Sequence, residues 1–103
     1  MMGGINEASD RSDVNESTFL SGTVTVGTTA TEAKVGATRL ITRQYLSIHN
    51  TGPGTIYLGT NTVTSSTGRP ILRDQSIDLP VGDIGIYLIA GQGTITVIVQ
   101  ELG

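Results

Sequence analysis

Residues Gln44 to Leu79 read QYLSIHNTGPGTIYLGTNTVTSSTGRPILRDQSIDL, and the punctuation of this stretch decides the fold class. In Tyr45 to Asn50, Leu46 and Ile48 face one way while Tyr45, Ser47 and His49 face the other, the period of a half-buried strand. Thr51-Gly52-Pro53-Gly54 then reverses the chain, because Pro cannot extend a ladder and Gly supplies positive φ. In Thr55 to Gly59, Ile56 and Leu58 return to the core face, so the spacing predicts a hairpin with the preceding strand. Thr60 to Arg69 is polar and long enough to project from the body. Pro70-Ile71-Leu72 restarts a strand, Arg73-Asp74-Gln75 turns, and Ser76 to Leu79 alternates with Ile77 and Leu79 inward.

The same grammar extends both ways. Upstream, Thr23 to Val26 alternates with Val24 and Val26 inward, Gly27-Thr28-Thr29 turns, and Ala33 to Ala37 forms a second short strand. Arg39 to Arg43 is a connection or a short edge strand. Downstream, Pro80-Val81-Gly82-Asp83 turns, and Ile84 to Ala90 with Thr94 to Leu102 predicts a final hairpin across Gly91-Gln92-Gly93. Ile95, Val97 and Val99 share one face of the last strand; Thr96, Ile98, Gln100 and Leu102 share the other. Seven or eight short, mainly antiparallel strands at this spacing predict an all-β domain, a compact β-sandwich or barrel. No helix is indicated.

Composition agrees. A chain of 103 residues is one small domain that buries roughly two-thirds of its unfolded surface. Aromatic residues are 4% of it, so the core is built from Ile, Leu and Val, whose branched side chains suit a pleated surface. Charged residues are 15% and the net charge is −3, which argues against a nucleic-acid backbone as partner. No apolar run approaches the ~20 residues of a membrane span. There is no cysteine, hence neither a disulfide nor a thiolate metal site. Met1 to Ser12 lacks the basic start and apolar centre of a signal peptide.

Met1 to Thr18 stands apart from the domain of residues 19–103. It is rich in Gly, Asn, Ser, Asp and Glu, and alone in water it cannot bury enough surface to offset its ordering entropy. It is expected to be an extended arm ordered by neighbouring chains. Ile5 and Val14 within it, and Phe19 at its root, are the candidate partner-binding residues.

Catalytic and metal chemistry find little purchase. His49 is the sole histidine and lies two residues from Ser47 on one strand face, with Tyr57 expected to approach from the partner strand. A nucleophile needs a base, an orienting third group and oxyanion donors, and mid-strand positions with no evident carboxylate supply none of these. Tyr45, His49 and Tyr57 are therefore read as a subunit-facing surface, and the chain as no enzyme. Asp74, Asp78 and Asp83 lie in or beside turns without the clustered loop spacing of a calcium site, and one His without Cys excludes a zinc centre. No cofactor is expected. Asn15-Glu16-Ser17 matches a glycosylation triplet that carries little weight without a secretory context. Arg39, Arg43, Arg69 and Arg73 are read as makers of interface salt bridges.

Leu46-Ser47-Ile48-His49-Asn50-Thr51-Gly52 followed by Ile56-Tyr57-Leu58-Gly59 resembles the I-x-I-x-N-x-G … I-Y-I-G hairpin of small β-sandwich modules in tailed-bacteriophage virion proteins. Val63-Thr64 with Ser66-Thr67-Gly68-Arg69-Pro70-Ile71 is similar to the V-T … S-T-G-x-P-L loop of those modules. Asp74 to Leu79 parallels their P-G-E-S-I-x-L turn and strand, although Arg73-Asp74-Gln75 stands where Gly is usual. Ile86 to Ala90 with Thr94 to Glu101 parallels their closing hairpin. The resemblance implies a structural virion protein, a capsid decoration (cement) protein binding the outside of the phage head through its arm and oligomer contacts. The implied partners are a major capsid protein or another virion protein and further copies of the chain, with a trimer favoured; neither nucleic acid nor membrane is implied. The implied location is the virion, assembled in the host cytoplasm. A tail or fibre-attachment component is the alternative, and a carbohydrate-binding adhesin module, with Phe19, Tyr45, Tyr57 and Tyr87 as its aromatics, the more distant one.

Overall fold

The computed structural model describes residues 18–103. The residues Ile5 and Val14, and the expected arm up to residue 17, lie outside the described residues. Eight strands follow in order: β1 (Phe19–Val26), β2 (Thr31–Glu32), β3 (Tyr45–Asn50), β4 (Ile56–Gly59), β5 (Arg69–Ile71), β6 (Ser76–Leu79), β7 (Tyr87–Ala90) and β8 (Ile95–Leu102). They form two four-stranded sheets, ordered β1-β8-β3-β6 and β2-β7-β4-β5, and every pairing is antiparallel. Among the described residues there is no helix.

The strands pair in a nested series, β1 with β8, β2 with β7, β3 with β6 and β4 with β5. The chain is one long hairpin with its tip at β4–β5, rolled up until its halves face each other. This is the strand order of a jelly roll, a double-sheet solution to the packing of antiparallel strands. Every connection except β4–β5 passes from one sheet to the other.

That topology corrects two expected hairpins. β3 and β4 lie in different sheets, as do β7 and β8, so neither pair shares a ladder. Alternation reports which face of a strand is buried but not which neighbour pairs with it, and in a sandwich both sheets bury one face. The expected strand at Ala33 to Ala37 is also displaced: β2 is Thr31–Glu32, while Ala33 and Val35 pack into the core from a loop.

Asn50 explains the first of these reversals. It ends β3, fully buried, with Gly52 beyond it at φ 90°. Its Nδ2 donates to the carbonyls of Gly54 and Ile71, each at 2.8 Å, and its Oδ1 accepts from the Gly52 amide at 2.7 Å. Its backbone amide donates to Gln75 at 2.9 Å and its carbonyl accepts from Asp74 at 2.7 Å. One side chain thus satisfies the buried backbone groups of an arch between sheets, groups that a hairpin ladder would otherwise have paired.

The core is aliphatic. Leu46 and Ile48 of β3, Val97 and Val99 of β8 and Val26 of β1 meet Ile56 of β4, Leu88 and Ala90 of β7 and Ile71 of β5, with Leu58, Ile77 and Leu79 partly buried beside them. The loop 60–68 keeps its polar residues exposed and is anchored to the body by one side chain. Val63 is buried, and a methyl group on Gly59 or Gly68 would lie 2.7 Å from its Cγ2. The two glycines of the resembling segments make room for that side chain.

Asp74 adopts φ 66° in the β5–β6 turn. Left-handed backbone is tolerated by Asp better than by most residues other than Gly. Asp74→Gly is expected to match or exceed the wild type in urea unfolding, whereas Asp74→Val should lose about 1–2 kcal/mol. Asn50→Ala, which takes the side-chain partner from two buried backbone groups and one part-buried one, should cost at least about 2 kcal/mol in the same measurement.

Candidate functional site

The end of the sandwich opposite Asn50 is held by a second buried polar group. Arg43 and Glu101 are joined at 2.9 Å with both side chains wholly removed from solvent. Arg43 also donates to the carbonyls of Gly82 at 3.1 Å and Ile84 at 2.6 Å. Glu101 accepts in addition from the amides of Val35 at 3.2 Å and Leu40 at 3.3 Å. The pair therefore fastens the β2–β3 loop and the β6–β7 loop to the end of β8. Arg39 adds an outer tie between the same loops, donating to Glu32 at 2.8 Å and to Asp83 at 3.3 Å. Arg43 and Arg39 are thus intramolecular, a correction to their reading as interface salt bridges. The four arginines do not converge, since Arg73 lies at the Asn50 end against Gly52.

This latched end carries most of the exposed apolar surface. Register places Leu102 of β8 between Phe19 of β1 and Tyr45 of β3 on the outer face of their sheet. Their exposures are 40%, 58% and 52%, so three adjacent apolar side chains stand in water. On the latched loops nearby, Ile41 is 88% and Ile84 60% exposed. Thr18 closes the group: its amide and carbonyl pair with Gly103, which brings the root of the N-terminal segment to this end. Two shallow depressions flank the row. One of about 240 Å³ is lined by Thr18, Phe19, Gln44, Tyr45, Leu102 and Gly103. The other, about 330 Å³, runs from Tyr45 and Leu102 over Ser47, Gln100 and Asp78.

Of the residues singled out from sequence, Phe19, Tyr45 and His49 share this outer face. Tyr57 does not. It lies on β4 in the other sheet, beside Pro70 and Ile89, and lines a separate depression of about 410 Å³ with Thr55, Ser65 and Gln92. The arch at Asn50 that separates β3 from β4 is the reason. Phe19 begins a strand and belongs to the body, at the point where residues 1–17 join it. Sequence reasoning placed Leu102 on the outward face of the last strand but missed Ile41 and Ile84, for which an isoleucine in a polar turn was the available signal.

It also missed a carboxylate. Asp78 of β6 pairs with Ser47, on the same outer face and diagonal to His49, which itself pairs with Ser76. Among the described residues no side-chain hydrogen bond joins Ser47, His49 and Asp78. Their strand positions hold them as side-by-side polar neighbours, without the aligned nucleophile and base that acyl transfer needs. Among the described residues no group of three His, Asp or Glu side chains is placed to hold a metal ion, and no helix is long and apolar enough to cross a membrane.

Arg43→Met alone should cost about 3–5 kcal/mol by thermal or urea unfolding, because it strands a buried carboxylate. Arg43→Met combined with Glu101→Leu is expected to lie closer to the wild type than either single change. In that double variant amide exchange at Val35 and Leu40 should accelerate, marking release of the loops. Comparison of the chain with protein-family models, with curated proteins and with solved structures finds no match.

Proposed function

We propose that this chain is a structural virion protein, a capsid decoration protein that binds the outside of a bacteriophage head. The observation that carries the reading is the latched end, where uncommitted apolar side chains surround the root of a polar N-terminal segment. A rigid aliphatic sandwich supplies bulk, and Arg43–Glu101 ties the loops that carry Ile41 and Ile84 to the end of β8 that carries Leu102. Such a surface is preorganised, so little ordering entropy opposes docking. The segment of residues 1–17 then extends the contact by pairing its backbone with a neighbouring sheet edge on the shell. Weak contacts repeated over copies of the chain add through effective concentration. The order of turn and strand residues resembling phage modules, and the jelly-roll strand order also met in viral capsid proteins, support the same reading. Fold alone does not carry it, since jelly rolls serve many functions.

The decisive measurement is the chain's place and copy number in purified particles. Hundreds of copies on the head are expected; a dozen or fewer would overturn the shell assignment in favour of the tail. Removing residues 1–17 should leave a folded domain with wild-type thermal unfolding that no longer co-sediments with particles. Ile41→Ser with Tyr45→Ser should weaken binding at least about tenfold, the loss of roughly 1.4 kcal/mol. Retention of full binding by both variants would sink this mechanism.

A further inference from the structure

The four edge strands of the sandwich are not protected alike. β5 (Arg69–Ile71) carries Pro70, which cannot donate to an added strand. β6 (Ser76–Leu79) is short, exposes Asp78 and is followed by Pro80. β2 is two residues long and lies among Glu32, Lys34 and Arg39. Short length, charge and proline are the devices by which sheets avoid pairing with foreign strands. β1 has none of them. It is eight residues long, FLSGTVTV, with neither a charge nor a proline. Its register with β8 runs one residue to one from Phe19–Leu102 to Val26–Ile95, so no bulge twists it away. Among the described residues its backbone bonds go to β8, and the neighbouring Thr18 and Gly27 bond to Gly103 and Ala90. Among the described residues no strand pairs with its opposite edge.

We propose that this edge pairs with β1 of a second copy, antiparallel and about a two-fold axis, joining two β1-β8-β3-β6 sheets into one. The other edges of the chain are blunted, so the compatible edge on another copy is β1 itself. Absence of charge removes the repulsion that self-pairing of a charged strand would meet. A two-fold pairing centred on Thr23 keeps both bodies on one side of the joint sheet. It sets Ser21, Thr23 and Thr25 against one another outside, where Thr–Thr and Thr–Ser pairs are favourable, and Gly22 and Val24 inside. One strand pair alone buries less than the roughly 1,200–2,000 Å² of a standard stable interface, so the association is reversible and concentration-dependent. It is also two-fold, in place of the trimer expected from the resemblance. The inference stands apart from the virion assignment, because it concerns the purified chain.

Sedimentation of the full chain over a wide concentration range tests it. A monomer–dimer equilibrium is expected, with amide exchange across Phe19–Val26 slowing as the dimer fills. Thr23 and Thr25 are exposed, so Thr23→Lys with Thr25→Lys should keep the wild-type melting curve and remain monomeric throughout. A wild type that stays monomeric or forms trimers would overturn the proposal. So would a dimer that survives the lysines or vanishes when residues 1–17 are removed, the latter pointing to the N-terminal segment as the contact. Exchange in β1 that ignores concentration would overturn it even if the lysine variant failed to fold.

Discussion

The buried ion pair between Arg43 and Glu101 is the constraint on which the latched end of this protein depends. Two charges withdrawn from water contribute little net stability, since their desolvation offsets most of their attraction. What the pair supplies is position. Arg43 reaches the carbonyls of Gly82 and Ile84 as well as Glu101, and Glu101 gathers the amides of Val35 and Leu40. Two loops that lack strand partners are thereby tied to the end of a central strand. The exposed side chains of Ile41 and Ile84 are held in place because the backbone beneath them is bonded to a buried charge.

Asn50 performs the matching task at the other end. A jelly roll requires the chain to leave one sheet and enter the other at nearly every connection, and each arch leaves backbone groups that no ladder can pair. Asn offers a donor and an acceptor on a short side chain, so it can bond three backbone groups from one buried point. Gly52, at positive φ, allows the sharp departure. The body between these two polar anchors is aliphatic and tolerant, whereas the anchors themselves are specific in chemistry and geometry.

The outer face of the β1-β8-β3-β6 sheet shows how little of a surface can be read before the neighbours are known. Tyr45 and His49 were legible as outward-facing from the alternation of β3, and they are so placed. Their companions Phe19, Leu102 and Asp78 come from strands far away in sequence, brought alongside by β8 and β6. Tyr57, close to His49 in sequence, sits on the opposite sheet. Proximity along the chain was a poor guide because the intervening turn crosses the core.

By itself the sequence determined the all-β class, a count of seven or eight strands and the inward set Leu46, Ile48, Ile56, Ile95, Val97 and Val99, all of them buried. Alternation and turn residues act over a few positions, and those properties are local. Only the tertiary structure decided which strands pair, that Arg43 meets Glu101 across the chain, and that β1 is an edge strand. Pairing partners, buried charge pairs and edges are relations between distant segments. They are set by which arrangement satisfies the buried backbone and polar groups together, and a local pattern of apolar and polar residues does not encode that choice.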